Sequence, residues 1–122
     1  MSAAEPRASM STRGPVLIIG TGLLGTSLAL ALRTADVEVQ LSDTSPTSLA
    51  LARDMGAGTP HDKHSPEPQI VVVATPPDVT ADVVVAQLSA HPSAVVTDVA
   101  SVKERVVTEV RSRAGAQARR YV

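Results

Sequence analysis

The sequence of 122 residues contains no cysteine, tryptophan or phenylalanine, and Tyr121 is its only aromatic residue. Disulfide bonds, thiolate metal sites and cysteine nucleophiles are therefore excluded. A single aromatic side chain leaves almost nothing on which nucleic-acid bases could stack. Lysine and arginine total 11 against 12 acidic residues, which gives a formal net charge of -1. We therefore expect no nucleic-acid partner, because nothing in the overall charge attracts a polyanion.

The chain also lacks a long, uninterrupted apolar run. Residues 16–32 are mostly apolar and follow Arg7 and Arg13, a pattern that a secretory signal also shows. Three glycines, two threonines and a serine interrupt this run, which makes it too short and too polar for a membrane span. The signal-peptide alternative also leaves the later motifs without a role. We expect no membrane association and a cytoplasmic location, which the absence of cysteine fits.

A glycine motif follows the first apolar segment. Residues 16–19 fit a buried strand and lead directly into Gly-x-Gly-x-x-Gly at positions 20–25, with a helical pattern behind it. This order is typical of a dinucleotide pyrophosphate site. Gly20 permits the tight turn, Gly22 lets the backbone approach the phosphates, and Gly25 lets helix and strand pack closely. Backbone N–H groups around Leu23 and Leu24 would point their unpaired donors at the anion.

Asp43 supports the dinucleotide interpretation. It lies 18 residues beyond Gly25, after a second strand-like run over residues 37–41. A carboxylate at this position can accept hydrogen bonds from the hydroxyls of an adenosine ribose. The alternative is that Asp43 is only a turn residue at the end of a strand.

Strand-like and helical patterns alternate along the chain. We predict strands at 16–19, 37–41, 69–74 and 94–97, with a very short further strand within 57–68. Helices are predicted at 23–34, at 46–55 with Ser45 as N-cap, Pro46 in the first turn and Gly56 closing it, at 78–88 and at 101–113. Residues 121–122 resemble the start of another strand. This alternation predicts an α/β fold with a doubly wound parallel sheet of about five strands and helices on both faces.

The same pattern predicts the domain organisation. Residues 1–14 are small and polar and include a proline, so we expect a disordered tail, and Met10 is an alternative start. Residues 15–122 are expected to form one dinucleotide-binding domain of the Rossmann type.

Three segments together resemble a known family. They are the glycine motif, Val73-Ala74-Thr75-Pro76-Pro77, and Thr97-Asp98-Val99-Ala100-Ser101-Val102-Lys103. The last is similar to the Asp-x-x-Ser-x-Lys signature of prephenate and arogenate dehydrogenases. The resemblance covers about residues 15–122 and corresponds to the amino-terminal half of that family. It implies an NAD-dependent oxidative decarboxylation of prephenate to 4-hydroxyphenylpyruvate, a step of tyrosine biosynthesis.

The resemblance also implies roles for individual residues. Asp43 would bind the adenosine ribose and repel a 2′-phosphate, and no arginine stands beside it, so NAD is expected rather than NADP. Thr75 and Pro76 would border the nicotinamide ribose. Ser101 would be the catalytic residue, hydrogen-bonding the substrate hydroxyl or the catalytic histidine. The residues expected to hold the pyrophosphate are Gly20, Gly22, Leu23, Leu24 and Gly25.

Parts of the family pattern are not found in this sequence. The histidine that polarises the substrate hydroxyl belongs to a His-Pro-Met-Ala-Gly stretch expected soon after residue 122, followed by a helical domain for substrate binding and dimerisation. His91-Pro92 precedes the strand that ends near Asp98, so its position is wrong for this role. We expect a catalytically incomplete cofactor half, and a homodimer only in a chain with the helical domain. The alternatives are an arogenate or other hydroxyacid dehydrogenase, or an NAD-binding module without turnover.

Simpler structural explanations apply to several residues. Ser101 and Glu104 have the spacing of a capping box, which needs no substrate. His61, Asp62 and His64 are too few ordered ligands for a metal site, so no metal is expected. The arginines at positions 111, 113, 119 and 120 are expected to form a solvated helix end.

Overall fold

The computed structural model describes residues 14–100 and 103–122. Its strands are β1 (Val16–Ile19), β2 (Val39–Ser42), β3 (Thr59–Pro60), β4 (Ile70–Val73) and β5 (Val95–Asp98). All neighbouring strands pair in parallel, in the order β3-β2-β1-β4-β5. The chain winds outward from β1 in one direction and then returns to the other side of β1 with β4. This order confirms the predicted doubly wound sheet.

Within residues 14–100 and 103–122, four α-helices cover the two faces of the sheet. They are α1 (Leu23–Thr34), α2 (Pro46–Asp54), α3 (Thr80–Ala90) and α4 (Lys103–Ala114). Alternate residues of a strand face opposite sides, so Ile18 packs with residues of α1 and α2, whereas Leu17 packs with residues of α3 and α4. The sheet is therefore buried on both faces, as its β-branched strands require. Among the residues that the structure describes, no helix combines the length and the apolarity needed to cross a membrane.

Helix α2 begins as the sequence predicts. The Ser45 hydroxyl accepts a hydrogen bond of 3.2 Å from a first-turn N–H group, and Pro46 occupies the first turn. Gly56 follows the helix with a φ of 85°, a conformation that glycine adopts without strain. The helix ends at Asp54 with Met55 as its C-cap, one residue earlier than predicted.

Strand β2 begins two residues later than predicted. The Val37 N–H donates to the Leu32 carbonyl at 3.0 Å, and Asp36 has a φ of 65°. Both residues therefore belong to the C-terminal closure of α1, whose last carbonyls need such partners. The strand then extends through Ser42, next to Asp43.

The start of α3 also differs from the prediction. A 3₁₀ turn occupies Pro77–Val79, and the α-helix begins at Thr80 rather than at 78. Pro77 has no N–H group and is therefore tolerated in the first turn. The Thr80 hydroxyl donates to the Pro76 carbonyl at 3.1 Å. The chain beyond β4 therefore makes an extra turn at the edge of the sheet before the helix begins.

The last residues extend the sheet. A 3₁₀ helix at Gly115–Arg120 follows α4, and Tyr121 forms a parallel bridge with Val96 of β5. The Val122 N–H donates to the Val96 carbonyl at 2.9 Å. This pairing is an isolated bridge outside the five strands, at the place where the sequence predicts the start of a further strand.

The prediction that the C-terminal arginines form a solvated helix end is wrong for Arg120, whereas Arg113 is exposed in the last turn of α4. The Arg113 guanidinium lies 2.6 Å from the Asp82 carboxylate. Arg120 donates to three main-chain carbonyls at and beyond the end of α3, at 2.5 to 2.9 Å. The carbonyls at a helix C-terminus have no partner within the helix and attract a cation. The three acceptors are the carbonyls of Leu88, His91 and Ala94.

Candidate dinucleotide-binding cleft

A cleft of about 960 Å³ lies at the carboxyl ends of the strands. Its volume falls within the range of small-molecule sites, about 300–1,000 Å³. In an open parallel sheet, ligands bind at this edge, where the winding changes direction between β1 and β4. Every residue that the sequence analysis assigned to the cofactor lines this cleft, apart from Gly25. They are Gly20, Gly22, Leu23, Leu24, Asp43, Thr75 and Pro76.

Two glycines of the motif, one in the loop and one in α1, are required by close packing. Gly20 has a φ of 103°, and a Cβ atom there would lie 2.5 Å from the Ala74 carbonyl oxygen of the neighbouring strand end. A Cβ atom at Gly25 would lie 1.9 Å from the Gly20 carbonyl oxygen. Gly25 is buried in α1 and therefore brings the helix against the loop, without lining the cleft itself.

Gly22 differs from the other two glycines. A Cβ atom at this position would meet nothing within 4 Å, and the φ of −74° is open to any residue. Gly22 is the N-cap of α1 and faces the cleft. The space in front of its Cα atom is therefore free for a ligand group that approaches the backbone.

The N-terminus of α1 has no side-chain cap. Gly22 cannot supply one, and the first turn contains no acidic residue. By contrast, Ser45 caps α2 with its hydroxyl. The first-turn N–H groups of α1 carry the positive end of the helix dipole, and Leu23 and Leu24 place this turn at the cleft. This arrangement suits an anionic group such as a pyrophosphate.

Asp43 is the charged residue among the described residues that line the cleft. Its Oδ2 atom accepts hydrogen bonds from the Thr21 N–H at 2.6 Å and from the Thr21 hydroxyl at 2.7 Å. Its Oδ1 atom accepts the Ser45 N–H at 2.8 Å. Partial burial raises the pKa of Asp43, but the hydrogen bonds from Ser45, Thr21 and Thr44 outweigh it, so the pKa is lowered from its usual value. The side chain is therefore a carboxylate at neutral pH.

The opposite wall of the cleft comes from the segment after β4. Thr75 and Pro76 lie at the end of this strand, and Val79 and Val83 continue the wall with apolar side chains. Leu23 extends from the other side and is 88% exposed. The cleft therefore joins a polar end at the glycine loop and Asp43 to a predominantly apolar wall.

Residues near the end of β5 form a second polar cluster. The buried Asp98 carboxylate accepts the Ala100 N–H at 2.9 Å, the Lys103 ammonium at 3.0 Å and the Tyr121 hydroxyl. The Lys103 ammonium also lies 4.4 Å from the centre of the Tyr121 ring. Burial and the neighbouring Asp98 carboxylate raise the pKa of the Tyr121 phenol. Ser101, the predicted catalytic residue, lies outside the described residues.

The sequence analysis did not identify Thr21 or Tyr121 as partners of the two aspartates. Thr21 is an unspecified position of the glycine motif, and Tyr121 is 23 residues from Asp98, so neither pair has a sequence signal. Lys103 donates to the Asp98 carboxylate and to the Val122 carbonyl, and neither contact is evident from a lysine at the start of a helix. Chain topology brings these residues together.

The three histidines lie away from the described lining of the cleft. His61 Nδ1 lies 2.9 Å from Gln40 Oε1, and His91 Nδ1 lies 2.9 Å from Glu67 Oε1. The His64 N–H belongs to a turn with Asp62. Over residues 14–100 and 103–122, no group of three histidine, aspartate or glutamate side chains is arranged to hold a metal ion.

Comparisons with known proteins are consistent with this architecture. The family described as prephenate dehydrogenase, nucleotide-binding domain, matches residues 28–120. A probable prephenate dehydrogenase, NovF, of Streptomyces niveus is 44% identical over 88 residues, which are 71% of this chain. The chain spans 24% of the length of that relative. The family match begins after the glycine motif, so the motif supports a nucleotide-binding domain independently of that match.

Solved structures of prephenate and arogenate dehydrogenases are also similar to this chain. Prephenate dehydrogenase from A. aeolicus, in complex with hydroxyphenyl propionate and NAD⁺, has a TM-score of 0.73 and 27% identity, covering 88% of this chain and 39% of the other. Synechocystis arogenate dehydrogenase has a TM-score of 0.69 and 24% identity, covering 80% and 37% of the two chains, and shows the fold alone. By its family match and its Rossmann-type fold, this chain belongs to the nucleotide-binding domain family of the prephenate dehydrogenases.

Proposed function

We propose that this chain binds NAD and is the cofactor-binding part of a prephenate dehydrogenase. One observation carries the proposal: the uncapped N-terminus of α1, the open space at Gly22 and the Asp43 carboxylate meet in one cleft. The A. aeolicus relative, at 27% identity, was solved with NAD⁺. The Streptomyces niveus relative supports prephenate as the substrate, since its name is that of a probable prephenate dehydrogenase.

The glycine loop would hold the pyrophosphate. Gly22 leaves room for the phosphates, and the first-turn N–H groups around Leu23 and Leu24 would donate to their oxygens. Gly20 and Gly25 would contribute to this site through folding, because they allow the loop and the helix to pack closely.

Asp43 would bind the adenosine ribose and select NAD over NADP. Its lowered pKa keeps the carboxylate charged, so that it accepts a ribose hydroxyl and repels a 2′-phosphate. Among the described residues that line the cleft there is no lysine or arginine to pair with such a phosphate. Charge in the cleft therefore favours the cofactor that lacks the phosphate.

Thr75 and Pro76 would border the nicotinamide ribose. Both lie at the end of β4, next to the strand that carries the glycine loop. Bound NAD supplies the hydride acceptor for oxidation of the substrate. The apolar side chains beyond this point, among them Val79 and Val83, would limit the access of water to the ring.

Catalysis needs groups beyond those that line the described cleft. The resemblance assigns the polarising role to a histidine, and none of the three histidines in this sequence lies at the described cleft. Ser101 is proposed to contact the substrate hydroxyl. We therefore expect the 122-residue chain to bind NAD without oxidising prephenate, and we propose homodimer formation only in a longer chain with the helical domain.

Calorimetric titration of the folded chain with NAD and with NADP tests the proposal. We expect saturable one-to-one binding of NAD, and weaker binding of NADP. The variant Asp43→Ala should bind NAD more weakly and discriminate less between the two cofactors. A folded chain that releases no heat with NAD would refute the dinucleotide site. Steady formation of NADH from prephenate would refute the expectation of incomplete catalysis.

A further inference from the structure

Thr21 donates two hydrogen bonds to the Asp43 carboxylate, the proposed ribose-binding group. It lies between the first two glycines of the motif and is 5% exposed. Its main-chain N–H and its hydroxyl both donate to Asp43 Oδ2, at 2.6 and 2.7 Å. These two residues are 22 positions apart, so the contact ties the glycine loop on β1 to the end of β2.

The two oxygens of the Asp43 carboxylate differ as a result. A carboxylate oxygen has two lone pairs for hydrogen bonds. Thr21 occupies both sites of Oδ2, whereas Oδ1 accepts the Ser45 N–H at 2.8 Å, and the Thr44 main chain also donates to the carboxylate. Because Thr21 contacts only Oδ2, Oδ1 is the oxygen that it leaves to face a ligand hydroxyl.

Thr21 is itself held in place. Its carbonyl accepts the Thr26 hydroxyl at 3.0 Å, and Thr26 lies in the first turns of α1. The chain of hydrogen bonds thus runs from Thr26 through Thr21 to Asp43. A change in the Thr21 side chain would act on the carboxylate without changing its charge.

We propose that Thr21 is a positioning residue that sets cofactor specificity. Its hydroxyl fixes the Asp43 carboxylate in one orientation, so that Oδ1 accepts a ribose hydroxyl and the full negative charge faces a 2′-phosphate. This inference rests on the proposed NAD site and adds a residue that the glycine motif leaves unspecified.

The variant Thr21→Val tests the role of the hydroxyl, because valine preserves the shape and the main-chain N–H. We expect its NAD affinity to fall about tenfold, as charge-assisted hydrogen bonds are stronger than neutral ones. The preference for NAD over NADP should fall as well, because the carboxylate keeps its main-chain donors but loses the only side-chain hydroxyl described on Oδ2, so that its orientation is less restricted. Thr21→Ser keeps the hydroxyl and should stay within about threefold of the wild type. Thr108→Val, on α4, removes an exposed threonine hydroxyl away from the cleft and should change neither affinity.

A double-mutant cycle separates positioning from a merely structural effect. In an Asp43→Asn background the valine substitution should have little further effect on NAD affinity, because the carboxylate it positions is gone. If Thr21→Val does not fold by far-UV circular dichroism, Thr21→Ala, which cannot overpack the site, is measured in the same way. Equal losses in both backgrounds, or an unchanged cofactor preference, would overturn the proposal.

The outcomes distinguish this inference from the function on which it rests. If the folded wild-type chain does not bind NAD, the proposed function fails. If the wild type binds NAD and the valine variant binds both cofactors as the wild type does, the cofactor site stands and the role of Thr21 is refuted.

Discussion

Substitution of Gly25 should separate the folding role of the glycine motif from its binding role. In Gly25→Ala the new Cβ atom would lie 1.9 Å from the Gly20 carbonyl oxygen and 3.1 Å from its carbonyl carbon. Ordinary van der Waals contact begins at 3.4 Å, so helix and loop would have to separate by over an ångström. Both groups belong to the backbone, and no side chain can rotate away to relieve the contact.

The cost follows from the size of that displacement. Overpacking of a buried contact costs about 1–3 kcal/mol, and a backbone contact belongs at the upper end. A domain of this size has a free energy of unfolding of about 5–15 kcal/mol, so a loss of about 3 kcal/mol is a large part of it. Each kcal/mol lowers the Tm of such a domain by roughly 3–5 °C, which gives an expected decrease of about 9–15 °C.

Thermal unfolding followed by far-UV circular dichroism measures this decrease, since the chain has no tryptophan for fluorescence. Gly22→Ala is the matched control, because its Cβ atom meets nothing within 4 Å. Alanine is a poorer N-cap than glycine, so this control should lose no more than about 1 kcal/mol. It should nevertheless bind NAD at least tenfold more weakly, roughly 1.4 kcal/mol, because the methyl group enters the proposed phosphate site. A Gly25→Ala variant that melts within about 2 °C of the wild type would refute the packing argument.

Two further predictions concern the C-terminal part of the domain. Arg120→Ala should lower the free energy of unfolding by about 2 kcal/mol in urea denaturation, because three carbonyls lose a charged donor. The exposed Arg119→Ala should change it by less than about 0.5 kcal/mol, and equal effects would contradict the assignment. Tyr121→Phe should remove about 1–2 kcal/mol at neutral pH, since the buried Asp98 carboxylate loses a donor. The raised pKa of Tyr121 means that the folded state retains the proton above the unfolded pKa, so wild-type stability should fall as pH rises above about 10. A wild-type chain and a Tyr121→Phe variant with the same alkaline dependence of stability would refute this reasoning.

Local chemistry explains why much of the fold is predictable from the sequence. Ser45 and Gly56 mark the ends of α2 because a hydroxyl cap and a positive φ act within a few residues. The parallel sheet follows from short β-branched runs alternating with helices, since such strands are stable only when covered on both faces. The glycine motif lies directly between β1 and α1, so its position at the cleft, with Gly20 and Gly22 in the lining, also follows from neighbouring residues.

The predictions that were wrong involve competition between possible hydrogen-bond partners, some of which are distant in sequence. Arg120 is a typical exposed residue in the sequence, yet the fold brings the end of α3 within reach of its guanidinium. Strand β2 starts late because Val37 completes the hydrogen bonding of α1, which competes with strand pairing. Hydropathy and capping patterns do not show which partner prevails, whether it lies five residues away, as Leu32 does from Val37, or on another helix.

The candidate site depends both on local sequence signals and on contacts that only the fold creates. Asp43 is predictable from its distance to the glycine motif, but its fixed orientation depends on the hydroxyl of Thr21, which no motif specifies. Gly25 packs on the carbonyl of Gly20, so the loop is already held against α1 by the folded chain alone. A loop that is ordered before the ligand arrives loses little conformational entropy on binding. Cofactor affinity should therefore respond to the groups that face the cleft, such as Gly22 and Asp43, while changes at Gly25 should appear first as a loss of stability.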